Sequence, residues 1–420
     1  MSSYDDMDKE IDREMGWDRG EPGSGKKPSG SIRRRPDYWQ TILRTAGATS
    51  PLGRAVRSTW RGICKVVFFP IISPLGYSKR FNVQGDMLVV KRSVIMRVVD
   101  AVFTRILLTP VILGIFMAAV VFASTHPKNV RATSTPDAFG LYYKRLSLTT
   151  VDNQRLTAWY VPPMSADEVS FDIEGTLQQK YPAAVVVHGL GASHDEYLQL
   201  TSQLHTAGYA VLLLDMRGQG ESDSAAVTYG LRERMDVLAG VKMLRETSYV
   251  DGSRVCVIGH NIGATAALQA AALDSSIAAV VADGMWPKFE DRARDIFGHP
   301  NSDGTGAPLA TQWLAPIYTV AFEIAVRDRL NQLDPFTVVQ SIHTQPVLFI
   351  SRVGPDYASV QDVLALASSA GSHHEVMAAE YNWEAKVVKF LNKSIDWKGP
   401  KARGKEQIKA LLENSVDKQK

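Results

Sequence analysis

Residues 253–268 read SRVCVIGHNIGATAAL. Val255, Cys256, Val257 and Ile258 make an unbroken apolar run with the length of a buried strand. Gly259-His260-Asn261-Ile262-Gly263 follows, and then the small residues Ala264, Ala266 and Ala267, which suit a helix lying close to a sheet. The pattern predicts a strand that turns sharply into a helix, with Asn261 at the corner. Glycines two positions to either side leave space where a side chain would collide with the returning backbone. Asn tolerates the positive φ of such a corner better than most residues.

Outward from this corner the same alternation repeats. Short apolar runs at 183–187, 211–214, 278–282 and 347–350 read as strands, with a weaker one at 375–379. Runs at 142–150 and 156–161 are strand-like and meet at an Asp152-Asn153 turn. Helical segments fall at 196–207, 230–247 and 383–392. Continuous apolar strands alternating with helices imply a mostly parallel sheet covered on both faces. The expectation is an α/β domain over residues 126–395, with eight strands.

Upstream the grammar changes. Residues 106–124 read ILLTPVILGIFMAAVVFAS and carry no charge. That is about the length needed to cross ~30 Å of hydrocarbon. Roughly a hundred residues precede it, too many for the charged start of a signal peptide. Residues 103–125 are therefore expected to be a transmembrane helix, with Thr109-Pro110 as a site for a kink. Lys91, Arg92, Arg97 and Arg105 precede the run, against Lys128 and Arg131 after it. The positive-inside rule sets the N-terminus in the cytoplasm and the α/β domain outside it. The small overall charge of +3 hides this asymmetry, roughly +8 up to Arg105 and about −5 after it.

Residues 1–50 are expected to be a disordered charged tail, acidic from Asp5 to Glu14 and basic at Arg33-Arg34-Arg35. Residues 51–102 form a basic juxtamembrane segment. Within it Ser50-Pro51 has the character of a helix start. Val56, Trp60, Ile63, Cys64 and Val67 then share one face, and Arg54, Arg57, Arg61 and Lys65 the other. Such a helix lies on an anionic membrane surface or packs on a partner protein. Residues 396–420 make a lysine-rich tail. The two cysteines, Cys64 and Cys256, give no disulfide framework, and no Cys/His cluster has metal-binding spacing. No cofactor, no metal and no nucleic-acid partner is expected.

Residues 138–395 resemble the α/β-hydrolase superfamily, and more closely its single-pass, membrane-anchored bacterial members. The resemblance rests on ordered pieces: His188-Gly189 after the third strand, the run DMRGQGES at 215–222 after the fourth, the Gly259–Gly263 corner after the fifth, and Asp334-Pro335 before the seventh. It implies the α/β-hydrolase fold, a mostly parallel eight-stranded sheet with helices on both faces. It also implies that the corner is the family's nucleophile elbow, G-x-S-x-G, here with Asn261 in place of Ser. An amide has no proton to surrender to a base and cannot form an acyl-enzyme.

The resemblance places the catalytic acid after the seventh strand, where Asp356 competes with a reading of that residue as a simple turn aspartate. It places a histidine after the eighth strand. If that strand is 375–379, Glu380-Tyr381-Asn382 lead directly into helix and the loop holds no His. A rival reading takes Gly371-Ser372-His373-His374 as the histidine loop. Backbone N–H groups of Leu190 and Ile262 would form the oxyanion hole and do not depend on side-chain identity. His260 occupies a position where the family often has a non-catalytic His. The segment between the sixth and seventh strands, where this fold places its lid, holds Trp286, Trp313, Tyr318 and Phe322, either lining a groove or packing the lid.

Three functions fit. One is a non-catalytic, membrane-anchored domain serving as an interaction or structural subunit of a membrane protein complex. The second is a ligand sensor that uses the former acyl pocket, and the third a serine-independent hydrolase. Lipid contact through 103–125 and the basic helix near Trp60, and a membrane protein partner, are expected.

Overall fold

The structure, a computed structural model, describes residues 94–164, 179–285, 313–352, 357–371 and 373–400, together with Phe289, Ala293, Ile296 and Phe297. The basic helix near Trp60, Trp286, Asp356, the N-terminal tail and residues 401–420 of the C-terminal tail lie outside the described residues. Eight strands are present: β1 (Lys144–Thr149), β2 (Arg155–Val161), β3 (Tyr181–Val187), β4 (Ala210–Leu214), β5 (Val250–His260), β6 (Val280–Asp283), β7 (Val347–Ser351) and β8 (His374–Ala378). They form one sheet in the order β1-β2-β4-β3-β5-β6-β7-β8. β2 runs antiparallel to both its neighbours, and β4 through β8 are mutually parallel.

Among the described residues, the α-helices with defined bounds are α1 (Val94–Thr125), α2 (Leu198–Thr206), α3 (Glu233–Glu246), α4 (Ile262–Leu273), α5 (Leu314–Val326), α6 (Pro335–Ser341), α7 (Val360–Ser368) and α8 (Trp383–Ser394). Period-two alternation divides the core. Ala183, Val185 and Val187 of β3 join Val241 and Leu244 of α3 and Ala267 of α4 on one face. Ala184 and Val186 join Leu200 and Leu204 of α2 and Val387 and Leu391 of α8 on the other. Central strands buried on both sides must be apolar throughout, which is why they read as continuous runs.

Some element ends differ from those expected, for local reasons. α3 starts at Glu233 and not at 230, because the Glu233 carboxylate turns back to accept from Thr228 N (2.7 Å) and Gly230 N (2.8 Å). The segment before α2 is a 3₁₀ turn, His194–Tyr197. β6 runs on to Asp283, one residue past its expected end, which carries a charge to the edge of the sheet.

α1 continues unbroken through Pro110. Its stretch Val102–Thr125 is long and apolar enough to cross a membrane. The helix is not a free tether. Phe116, Met117, Val120 and Val121 are buried in the same core cluster as Tyr318 and Phe322 of α5. Ser124 Oγ shares a hydrogen bond with Tyr318 Oη (2.7 Å), Tyr229 Oη donates to Ser124 O (3.1 Å), and Val227 N donates to Thr125 O (2.8 Å).

Candidate active site

The chain enters the corner at the C-terminal end of β5, in the middle of the sheet. Asn261 adopts φ 52° and ψ −114°, a conformation that side chains rarely accept. The surroundings enforce it. A Cβ on Gly259 would lie 2.1 Å from Gly263 O, and one on Gly263 would lie 2.6 Å from His188 O. Asn261 N donates to Asp283 O at 2.8 Å, tying the corner to β6. The Asn261 side chain is buried, and its Oδ1 accepts from Ile262 N at 2.9 Å. That N–H is one of the orphan donors at the start of α4. The residue that the resemblance sets at the nucleophile position is thus a helix cap.

Beside it lies a charged cluster that the sequence reading did not assemble. His260 Nδ1 stands 3.1 Å from Asp283 Oδ2. Arg352, directly after β7, donates through Nε to Asp283 Oδ1 (2.6 Å) and through Nη2 to Oδ2 (2.7 Å). Tyr357 Oη is 3.4 Å from His260 Nε2. Burial pushes the Asp283 carboxyl up, but the bonds from His260 and Arg352 outweigh it and hold it below the usual carboxylate range. The Arg352 guanidinium also lies 5.0 Å from the Trp383 ring centroid. The sequence signals were an acid closing the apolar run VVAD and an arginine at the mouth of the next strand. Neither has a motif of its own, so only the adjacency of β6 and β7 joins them.

On the other flank, His188 and Gly189 close β3. A Cβ on Gly189 would meet His260 Cδ2 at 2.9 Å and Asn261 Cβ at 3.2 Å, so Gly189 brings the Leu190 loop against the corner. His188 Nδ1 bonds Gly189 O (2.8 Å), and its Nε2 accepts a hydrogen bond from Met216 N (3.3 Å). Those partners assign the neutral tautomer protonated at Nδ1, and burial accordingly lowers the His188 pKa. His194 Nδ1 stands 2.6 Å from Asp215 Oδ1, beneath the Trp159 ring. The 215–222 run is a scaffold. Glu221 N donates to Asp215 Oδ2 (2.9 Å), Ser222 Oγ to Asp215 O (2.6 Å), and buried Arg217 bridges Asp152 and Asp236 at 2.6 Å each.

His374 opens β8 opposite Val347, at the end of the sheet away from Asn261, and His373 precedes it. His373 is exposed, its Nε2 3.6 Å from Glu375 Oε1. After β8 the chain bonds Ala379 N to Ser351 O and Trp383 N to Glu380 O, and enters α8 without a histidine. Asp356 falls outside the described residues. Tyr318 and Phe322 are buried in the lid, whereas Trp313 is exposed. Cys256 is fully buried within β5, and burial pushes its thiol up to about 12, away from thiolate chemistry.

Residues 184–386 match a family model described as the alpha/beta hydrolase family. A stretch of 119 residues is 30% identical to an uncharacterised protein found in two strains of Mycobacterium tuberculosis. The chain spans 37% of the length of these curated relatives, and the match takes up 28% of the chain. Among solved structures, an esterase of Pyrococcus furiosus is similar at 22% identity with a TM-score of 0.48, over 66% of this chain and 98% of that one. Acetyl xylan esterase 1 from Thermoanaerobacterium is similar at 17% identity with a TM-score of 0.44, over 67% and 93%.

Proposed function

We propose that this chain is an α/β-hydrolase-like domain, a reading that the family match and the strand order support, and that it works without catalysis, as a membrane-anchored interaction or structural subunit of a membrane protein complex. Residues 103–125 are its anchor, with the N-terminus in the cytoplasm and the domain on the far side. The basic segment around Trp60 adds lipid contact.

The observation that carries this reading is the Asn261 Oδ1 bond to Ile262 N. The residue in the nucleophile's place has no ionisable proton, and its own oxygen occupies a donor that an oxyanion would need. Full-length protein in mild detergent tests it with a fluorophosphonate probe and short acyl esters. The expected result is no labelled serine and no turnover above buffer. A labelled serine in the elbow region, or clear ester turnover, overturns the non-catalytic reading. Gentle extraction is expected to bring down a stoichiometric membrane protein. A single homogeneous species overturns the subunit role.

The pair His260–Asp283 supports a second reading, a hydrolase in which imidazole activates water directly. Turnover that survives Asn261→Ala and vanishes in His260→Ala would establish it.

A further inference from the structure

Helix α5 is apolar on its buried and its outward side apart from Thr319, which bonds Ala315 O, and Glu323, whose Oε1 accepts from Leu330 N at 2.9 Å. Leu314, Tyr318 and Phe322 are fully buried, while Trp313, Val320 and Ile324 are 50%, 56% and 73% exposed. A helix that is apolar on its outward side as well as its buried one ordinarily has apolar material against both.

Helix α1 says what that material is. Its uncharged run from Ile106 to Thr125 has 20 residues. At ~1.5 Å per residue this is ~30 Å, the thickness of the hydrocarbon core with none to spare. Yet the second half of the run is docked on the domain, through Phe116, Met117, Val120 and Val121 and through the Ser124–Tyr318 bond. Residues 106–115 alone reach only ~15 Å. The helix crosses only if its docked half also lies at hydrocarbon depth, and α5 must then lie there with it. The outward side of that docked half, Ala118, Ala119, Phe122 and Ala123, is exposed and apolar, as lipid contact requires. Exposed Arg327 and Arg329 follow the end of α5, where a headgroup phosphate would meet them.

We propose that α5 is seated in the bilayer leaflet on the domain's side, with Trp313, Val320 and Ile324 turned to the acyl chains. The proposal rests on the reading of α1 as a membrane-spanning helix. It makes the membrane part of the lid's surroundings, so that the domain is held in one orientation against the lipid.

The test uses the full chain carrying Cys64→Ser, with a single bimane label at Ile324→Cys, Val111→Cys or Tyr381→Cys. The three positions are exposed, and Cys256 is buried away from the reagent. Each protein is reconstituted into phosphatidylcholine–phosphatidylglycerol vesicles with brominated acyl chains. The proposal expects loss of emission at 324 and 111, and none at 381. Quenching at 111 with full emission at 324 overturns it and leaves α1 spanning. Full emission at both overturns the proposal together with the membrane-spanning reading. Quenching at all three positions also overturns it, since the lid would then have no special place.

Discussion

Position 261 combines two demands that usually go with a reactive serine, a positive φ and a side chain at the mouth of a helix. Asn meets both and brings a carboxamide with no ionisable proton. Asn261→Ser is therefore expected to leave the full chain without ester hydrolysis and unlabelled by a fluorophosphonate. The imidazole nearest in sequence, His260, is committed to Asp283 and faces Tyr357. Turnover approaching the low end of enzyme rates, about 1 per second, in that variant would show that a base does reach the corner. Asp283 makes a pH prediction. Its folded pKa lies below the ordinary value of 3.8, so it stabilises the fold above that value and loses its contribution as pH falls through the lower folded value. Thermal melts of the wild type are expected to fall steeply below pH 3.8, and Asp283→Asn is expected to melt lower at pH 7 with a shallower fall in the same window. Parallel melting curves would show that Asp283 does not carry the acid limb.

Elements explain why the corner holds its shape with a carboxamide at its apex. The turn between β5 and α4 is over-determined by contacts with backbone, which cannot move aside. Gly259→Ala would drive a methyl against Gly263 O, and it is expected to cost about 3 kcal/mol, the upper end of the usual overpacking cost, read as a large drop in melting temperature. The loop after β4 is held in a different way, by Arg217 between two carboxylates. Removing one partner of a buried pair strands the other charge. Arg217→Ala is thus expected to destabilise by about 3–5 kcal/mol in a denaturant titration, with no other consequence for the corner. The corner was legible from its own glycine spacing, whereas the loop after β4 was legible only through the resemblance, because Asp152 and Asp236 lie 65 and 19 residues from Arg217. The cluster His260–Asp283–Arg352 was not, because its members meet only across three adjacent parallel strands.

On the scale of the whole molecule, the apolar helix belongs to the α/β domain as much as to the segment before it. Four large side chains of α1 fill the core cluster beside α5. Burial of each is worth about 1.5–3 kcal/mol. A chain beginning at residue 126 would open that face, exposing Tyr318 and Phe322 to water. It is expected to melt well below the full-length protein in detergent and to aggregate at concentrations where the full chain stays dispersed. Equal melting temperatures would show that α1 contributes nothing to the fold.

The order of strands and helices, the sharp corner at 259–263 and the lone carboxamide at its apex were determined by the sequence alone. Hydrophobic period, glycine spacing and the chemistry of one side chain are local properties, and a linear string displays them. Tertiary structure decided what the carboxamide bonds, which charges gather beside it, which end of the sheet His373 and His374 occupy, and that half of α1 lies docked against α5. Those outcomes depend on which strands become neighbours and how far one helix travels along another. Residues as far apart in the chain as Ser124 and Tyr318 carry no mark of each other until the fold brings them to 2.7 Å.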